Sequence, residues 1–398
     1  MAEVTYAVGL DAGSKHTRCL IGTVEDSCLR LLGFGEAESA GWTKGRIADP
    51  AALSAAVARA VVEAEKTAGV SAEAAVVGIG GTSVEGLNNR GLYEMGRPRQ
   101  IEEVDLRYAV ERACGVQLPA DRMVLQLFPQ DFAVDGRADY RNPKGTVGSR
   151  LESFVHVITA STQEHEALVG AVNQAHVAVE ETVYEPVAAA YAAVRPEERT
   201  EGVALADIGA HSTDLVVYDG DALVHVAGLP ISGDHFTRDV SFGFCVAYDE
   251  AERIKEECGC AILGLTGDNS IIEVPSPEGR APREALRREL NLILEARAEE
   301  LFLYIRRELA RANMEQALTE GIVLSGGGAR LTGMCDMAER VLNCQARNGL
   351  ATGILDWPEE LDTPAWTVAA GLMMYSARLK HRTESDRRGG GFLSRFFR

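Results

Sequence analysis

The chain contains 398 residues, with 40 Lys and Arg against 59 Asp and Glu, and its formal net charge is −19. This acidic balance argues against a general nucleic-acid role, because binding to phosphate backbones depends on clustered cations. The chain contains no run of 18 apolar residues, so the sequence predicts no bilayer-spanning helix. The eight scattered cysteines, with no basic leader before the first strand, indicate a reduced cytoplasmic protein.

The first 80 residues predict a β-β-β-α-β order. The helix begins at Asp49-Pro50, where Asp caps the first turn and Pro suits the first helical position, and it ends at Gly69. The strands are expected at Tyr6 to Leu10, Arg18 to Thr23, Leu29 to Gly35 and Ala74 to Ile79. This order is typical of an α/β fold.

The segment from about Ser83 to Ile158 is crowded with turn signals and predicts a small inserted α+β module. A helix is expected near Glu102 to Cys114, between strands that include Met123 to Val134 and Leu151 to Ile158. Further on, Glu284 to Ala317 predicts one long amphipathic helix. Its buried stripe is expected to contain Leu286, Leu290, Ile293, Leu301, Ile305 and Leu309.

Two segments share the spacing Asp-x-Gly-x-x-x-Thr, one from Asp11 to Thr17 and one from Asp207 to Thr213. Each lies between two strand-like runs. Glycine lets backbone N–H groups approach an anion, and an aspartate at a strand end can hold a hydrated Mg²⁺ ion. One copy alone is a common turn, but two matched copies predict a pair of hairpins that hold phosphates from opposite sides.

A third segment runs from an apolar strand into Gly326, Gly327 and Gly328. Three glycines permit close approach of a flat ligand or a phosphate, although a plain strand-to-helix turn has the same pattern. No Lys-Ser or Lys-Thr follows, so the segment is not a P-loop. Cys258-Gly-Cys260 has no second thiolate pair, which favours a structural role over metal binding.

These three segments resemble the phosphate and adenosine motifs of the actin/Hsp70/sugar-kinase superfamily, and its linking motifs appear at 184–190 and 364–372. The inserted module resembles that of the FtsA family of bacterial cell-division proteins. The residues that carry this likeness are Gly78-Ile-Gly80-Gly81, Asn88-Asn-Arg-Gly91, Phe128-Pro129-Gln130, Val134-Asp135-Gly136 and the segment from Asn142 to Glu152. With the basic amphipathic C-terminal end, the resemblance covers essentially the whole chain.

The resemblance implies ATP and Mg²⁺ as cofactors. It assigns Asp11 and Asp207 to Mg²⁺, and Glu185, with Asp207, to the attacking water. The phosphates are assigned to Gly13, Ser14 and Lys15 of the first loop and to Gly209 and Thr213 of the second loop. Ribose and adenine are assigned to Glu252 and Lys255, and the adenosine side to Gly326, Gly327 and Gly328. The family usually has glycines where this chain has Ala210 and His211. Binding of ATP is therefore expected, while hydrolysis stays open.

The resemblance also implies a two-lobed actin-like fold, each lobe carrying a mixed sheet of about five strands. The expected boundaries are 1–83 and 159–198 with 366–380 for the first lobe, 84–158 for the inserted module, 199–233 and 283–365 for the second lobe, 234–282 for its small subdomain, and 381–398 for a flexible linker and amphipathic tail. Its implied partners are further copies in head-to-tail filaments, the C-terminal tail of FtsZ at the small subdomain, and other division proteins at the module.

The last seven residues place Phe392, Leu393, Phe396 and Phe397 on one helical face, flanked by Arg395 and Arg398. In water so short a segment is frayed. At an anionic bilayer the aromatic face buries and the arginines are attracted to the lipid headgroups, so the tail predicts a peripheral membrane anchor. The resemblance implies that this anchor acts on the cytoplasmic face of the membrane, at the division site.

Three other functions are found in proteins with the superfamily motifs. A pilus-assembly protein related to FtsA shares the inserted module, but the basic amphipathic tail favours the division protein. A sugar kinase needs a catalytic aspartate in its own motif, and no such segment is found. A chaperone of the Hsp70 type needs a large peptide-binding region, whereas only a short segment follows Ala377.

Overall fold

The computed structural model describes residues 5–25, 28–267, 269–275 and 281–387. Within them, two α/β lobes face each other across a cleft, and a smaller α+β module is inserted in the first lobe. No helix in these ranges has the length and apolarity needed to cross a membrane.

The first lobe begins with an antiparallel β-meander on which α1 packs. Asp49 caps α1 by accepting bonds from the backbone N–H groups of Ala51 and Ala52 at 3.0 and 3.1 Å, and Gly69 closes it with φ 70°. The elements are β1 (Tyr6–Ala12), β2 (His16–Glu25), β3 (Cys28–Glu38), β4 (Trp42–Thr43), β5 (Arg46–Ile47), α1 (Pro50–Ala68) and β6 (Ala74–Ile79). The predicted β-β-β-α-β order is confirmed; the short β4–β5 hairpin is an addition to it.

The inserted module has one helix packed on a long antiparallel sheet. Ile101, Leu106, Phe132 and Leu151 form its own small core. The elements are β7 (Glu85–Gln100), α2 (Glu103–Cys114), β8 (Arg122–Val134), β9 (Arg137–Tyr140) and β10 (Val147–Ser161). The chain then returns to the first lobe through α3 (Thr162–Gln174), β11 (Ala178–Tyr184), α4 (Glu185–Ala193) and α5 (Pro196–Glu201).

The second lobe repeats the hairpin of the first and then continues into helices. Its elements are β12 (Val203–Ile208), β13 (Thr213–Asp219), β14 (Ala222–Leu229), α6 (Gly233–Phe244), α7 (Tyr248–Cys258), β15 (Ile271–Val274), β16 (Arg283–Leu286), α8 (Arg287–Arg311), β17 (Ile322–Ser325), α9 (Met334–Leu342) and β18 (Ala346–Asn348). After them, β19 (Ile354–Leu355) pairs with β3 of the first lobe. Short 3-10 turns lie at 263–265, 327–330, 359–361 and 364–366.

The last helix, α10 (Thr367–Arg387), returns to the first lobe and crosses α4. The crossing is close because Gly371 has no side chain: a Cβ there would overlap the carbonyl group of Ala188. The two linking motifs of the sequence therefore lie on two helices in direct contact.

Four details differ from the sequence expectations. The sheets have six and nine strands, since β19 joins the first sheet and β14 continues into the module through the pair Ala227–Glu85. Residues 354–355 thus belong with the first sheet, although the expected boundary placed them in the second lobe. The long helix begins only at Arg287, because residues 283–286 pair with β15, and Leu286 is 43% exposed. Helix α10 continues to Arg387, past the expected start of the linker at 381.

Candidate functional site

A cleft of about 260 Å³ lies between the lobes and is lined by residues from both. Of the residues nominated from the sequence, the structure brings twelve to its walls: Asp11, Gly13, Ser14, Lys15, Glu185, Asp207, Gly209, Glu252, Lys255, Gly326, Gly327 and Gly328. Thr213 lies beneath the wall. The tail residues Phe392, Leu393, Arg395, Phe396, Phe397 and Arg398 lie outside the described residues.

The two Asp-x-Gly hairpins have the same backbone register. Thr17 pairs with Ala12 across the first turn, and Thr213 pairs with Ile208 across the second. Both threonines are fully buried, and the hydroxyl of Thr17 hydrogen-bonds that of Ser39 at 2.7 Å. The glycine of each motif lines the cleft, and the threonine packs under its hairpin.

Three acidic side chains converge at the base of the cleft. Burial raises the pKa of Asp11 to about 7, with the neighbouring Asp207 adding to the rise and Arg18 opposing it. Burial also raises the pKa of Asp207 to about 6, although its carboxylate accepts a hydrogen bond from Ser325 Oγ at 2.9 Å. The pKa of Glu185 is raised well above its usual value by burial and by Asp11. A cation placed here relieves this repulsion and favours the ionised carboxylates.

Asp214 is a fourth buried carboxylate at the base, and the sequence analysis missed it. It accepts hydrogen bonds from Gly81 N at 2.8 Å and Ser212 Oγ at 2.9 Å, and Tyr184 donates to it at 3.3 Å. Burial raises its pKa to about 7 against the effect of these bonds. Since Gly81 and Tyr184 belong to the first lobe, Asp214 fastens the two lobes together at the floor of the cleft.

A charged cluster crosses the mouth of the cleft. Lys15 of the first lobe pairs with Glu252 and, at 2.8 Å, with Glu256, both on α7. Lys255 donates to Glu252 at 2.6 Å and to the hydroxyl of Thr237 at 2.9 Å. Burial disfavours the charge on Glu252, but Lys255 and Lys15 outweigh it and lower its pKa to about 2. Glu252 is therefore ionised at neutral pH, and Lys15 is drawn across the opening.

The glycine segment packs tightly on β12 and leaves open space at its centre. Gly326 has φ +83°, and a Cβ there would lie 2.5 Å from the carbonyl oxygen of Ile208. A Cβ on Gly328 would lie 3.0 Å from the same oxygen, whereas one on Gly327 meets nothing within 4 Å. The outer two glycines thus allow close packing, and the middle one presents bare backbone to the cleft.

The cleft has the features that a nucleotide with its cation requires. Gly13, Gly209 and Gly327 line it, and a Cβ at residue 327 would meet nothing within 4 Å, so the backbone there is open to a ligand. In the described ranges no three His, Cys, Asp or Glu side chains form a metal cage. Mg²⁺ usually keeps several waters and takes one or two carboxylates plus phosphates, which fits Asp11 and Asp207. These residues fit Mg-ATP.

Comparison with known proteins identifies the family. The family model described as "Cell division protein FtsA" matches residues 204–371, and the one described as "SHS2 domain inserted in FTSA" matches residues 81–159. The cell division protein FtsA of Pseudomonas aeruginosa is 33% identical over 92% of this chain and 88% of the relative. That of Borreliella burgdorferi is 32% identical over 98% of both chains.

Solved structures show the fold. The PilM-PilN type IV pilus biogenesis complex aligns with a TM-score of 0.65 and 19% identity, covering 93% of this chain and 98% of that one. MreB5 of Spiroplasma citri bound to AMPPNP aligns with a TM-score of 0.57 and 14% identity, covering 96% and 99%. The fold is therefore actin-like with an inserted SHS2 domain. Because the identity to curated cell-division relatives extends along nearly the whole chain, the chain belongs to the FtsA family of bacterial cell-division proteins.

Proposed function

We propose that this protein binds Mg-ATP between its lobes, assembles head to tail, and ties FtsZ to the cytoplasmic face of the membrane at the division site. The observation that carries the nucleotide part is the convergence of both Asp-x-Gly hairpins and the glycine segment on one cleft. When bound, Mg-ATP supplies a charged group that both lobes contact, which favours the closed arrangement.

In this proposal, residues at different positions in the cleft have different roles. The hairpin glycines Gly13 and Gly209 offer backbone N–H groups to the phosphates, and Lys15 supplies a positive charge at the mouth. Asp11 and Asp207 orient the waters around the cation. Glu185 is the carboxylate placed to hold a water, and whether ATP is hydrolysed depends on the room that His211 leaves.

The nucleotide assignment is tested by Asp207→Ala. Loss of this carboxylate removes one contact to the hydrated cation, so we expect Mg-ATP affinity to fall about tenfold or more, while affinity for ATP with the magnesium chelated changes little. Titration calorimetry on the full chain measures both. Asp219→Ala, an exposed aspartate at the far end of β13, is the matched control. Equal Mg-ATP affinity in wild type and Asp207→Ala contradicts the assignment.

The proposed site for the FtsZ C-terminal tail is the small subdomain of the second lobe. Large apolar side chains are exposed there and on the adjoining hairpin, namely Phe242, Tyr248, Leu265, Ile271 and Leu286. Phe242 is 88% exposed, and the arginines on the helices around it are paired with acidic residues, Arg238 with Asp234 and Arg253 with Glu250 and Glu257. An exposed apolar surface of this kind suits a peptide that carries apolar residues.

Phe242→Ala is expected to weaken binding of a labelled FtsZ tail peptide by about tenfold, because it removes the most exposed apolar side chain of the surface. Fluorescence anisotropy measures the affinity. Val62→Ala, which removes a 62% exposed apolar side chain from α1 on the first lobe, is the control and is expected to bind normally. If the two variants bind alike, the peptide site lies elsewhere.

We further propose that other division proteins contact the inserted module, whose exposed apolar residues include Val104, Tyr108 and Val147.

Head-to-tail contacts between copies are of the heterologous kind that does not close on itself, and such contacts produce filaments. Electron microscopy of the protein on lipid monolayers with ATP examines this assembly, and a protein that stays monomeric at high surface density would refute it.

The membrane part of the proposal rests on the amphipathic sequence at 392–398 and its flanking basic residues. We expect the full chain to float with vesicles that contain anionic lipid, and a chain ending at Gly391 to stay in solution. Phe396→Glu is expected to act like the truncation, because a charge on the apolar face opposes burial, while Ser394→Ala is the control. Flotation of the truncated chain with the vesicles would show that the anchor is elsewhere.

A further inference from the structure

The inserted module contacts the first lobe through a buried glutamine of β8. The side-chain oxygen Oε1 of Gln126 accepts a hydrogen bond from the backbone N–H of Tyr184 at 3.0 Å, and both residues are buried. Tyr184 is the last residue of β11, and the next residue, Glu185, begins α4 and lines the cleft. A side chain of the module therefore fixes the backbone at the junction that carries Glu185 into the cleft.

The same strand of the module also contacts the second lobe. Four residues further along β8, the side-chain nitrogen Nε2 of Gln130 donates to the backbone carbonyl of Leu223 on β14 at 2.9 Å. The first residue of β7, Glu85, pairs with Ala227 of β14. The module is thus attached to each lobe, and the two glutamines that attach it lie on one strand.

Part of this attachment coincides with the contacts that hold the lobes together at the floor of the cleft. The hydroxyl of Tyr184 lies within hydrogen-bond distance of Asp214, at 3.3 Å, and of the carbonyl of Ala227, at 3.2 Å. Gly81, which lines the cleft just before β7 begins, donates its N–H to Asp214 at 2.8 Å. Its carbonyl oxygen lies against Gly228, where a Cβ would be only 2.7 Å away. Tyr184 and β14 therefore take part both in the closure of the lobes and in the attachment of the module.

These contacts fit one relative position of the two lobes. The partner atoms include the N–H of Tyr184, the carbonyl of Leu223 and the N–H of Gly81, and backbone atoms have no rotamers through which to follow a movement. Gln126 and Gln130 are separated by about 13 Å along an extended strand, a distance that the strand keeps fixed. A rotation of one lobe away from the other therefore lengthens at least one of the two glutamine bonds.

We propose that the nucleotide in the cleft and the attachment of the inserted module are coupled. The inference rests on the proposed binding of Mg-ATP. Mg-ATP contacts both lobes and favours the closed arrangement, in which the bonds of Gln126 and Gln130 are both formed. Coupling between two sites is reciprocal, so a protein that binds the module and breaks the Gln130 bond weakens the binding of ATP by the same factor. The two glutamines act from outside the cleft, since neither is among the described residues that line it.

Variants of similar size remove the two bonds one at a time. Gln130→Met keeps the length of the side chain and removes the donor to Leu223. Gln126→Met removes the acceptor of the Tyr184 N–H and leaves that buried group unpaired, so it is the harsher change. Gln117→Met is the matched control, because Gln117 is an exposed glutamine of the same module. If Gln126→Met does not fold, Gln130→Met and the control still decide.

Two measurements on the full chain test the coupling. Titration calorimetry gives the affinity for Mg-ATP. Hydrogen exchange followed by mass spectrometry compares β7 and β8 with and without saturating Mg-ATP. Helix α8 serves as the internal reference, since a ligand of the folded state also slows exchange elsewhere in the chain by raising its stability. Exchange that is slowed more in the two module strands than in α8 indicates the coupling.

We expect Mg-ATP to slow exchange in β7 and β8 of the wild type at least about threefold more than in α8. In Gln130→Met we expect this difference to disappear and the affinity for Mg-ATP to fall about three- to tenfold, the range expected for one hydrogen bond. Gln117→Met is expected to match the wild type in both measurements.

The outcomes separate this inference from the proposed function. A wild-type chain that binds Mg-ATP but shows no greater slowing in β7 and β8 than in α8 overturns the coupling while nucleotide binding stands. Gln130→Met with the affinity and the exchange of the wild type does the same. A wild-type chain that does not bind Mg-ATP overturns the proposed function and, with it, this inference.

Discussion

Gly327→Glu is expected to abolish binding of ATP while the chain stays folded. A side chain at residue 327 meets no atom within 4 Å, so glutamate extends into the cleft instead of into the core. There it fills space assigned to the adenosine and adds a negative charge to the cleft that holds the phosphates. At an effective dielectric constant near 20, a charge about 8 Å from a phosphate costs roughly 2 kcal/mol, and the steric overlap adds to this, so we expect a loss of affinity of about a hundredfold or more.

Gly327→Ala is the control for this prediction, because a methyl group in open space leaves the cleft free. We expect its ATP affinity to stay within about threefold of wild type. Titration calorimetry measures binding, and circular dichroism during heating measures whether the variants are folded. If Gly327→Glu binds ATP with normal affinity, the nucleotide does not contact the glycine segment.

Gly371→Ala is expected to reduce the free energy of unfolding by about 3 kcal/mol or more, a large effect for one methyl group. The added Cβ would overlap the carbonyl group of Ala188, and both partners are backbone or near-backbone atoms that have no rotamer to change. Helices α4 and α10 must therefore separate. Since α4 begins at Glu185 and Val368 of α10 lines the cleft, ATP affinity is expected to fall with stability.

The same substitution on an open helix surface is the control. Gly170 lies on an exposed face of α3, where a Cβ meets nothing within 4 Å. Alanine favours helix over glycine, so Gly170→Ala is expected to add about 0.5–1 kcal/mol to the free energy of unfolding. Urea denaturation followed by circular dichroism compares the two variants with wild type. Similar free energies for both variants would mean that α4 and α10 are not in close contact.

The features that the sequence predicted well are local. The cap at Asp49, the left-handed closure at Gly69 and the repeated hairpins each depend on residues a few positions apart, and the structure confirms them. Helix and strand propensity and hydrophobic periodicity act over this range, so they can be detected in a single sequence. The resemblance to FtsA added the pairing of distant segments, which no local pattern contains.

The features that were missed depend on distant partners. Asp214 accepts its hydrogen bond from Gly81, and Lys15 pairs with Glu252, contacts that only the closed arrangement of two lobes creates. Asp214 does follow Thr213 directly, where the first hairpin has Arg18, and this difference between the two copies was the available signal. The β4–β5 strands are two residues each, too short for any alternation of apolar and polar residues to show.

The position of α10 has a mechanical consequence. The backbone N–H of Gly326 donates to the carbonyl of Pro364 at 2.9 Å, three residues before α10 begins. The glycine segment therefore contacts the chain next to the first residue of this rod-like helix, and Arg387 lies at its other end. With 21 residues the rod is about 31 Å long. A tilt of about 10° imposed at Pro364 displaces the opposite end by roughly 5 Å. Because α10 packs on α4 and β1, it moves with the first lobe, and a small rotation of that lobe about the glycine segment is largest at Arg387.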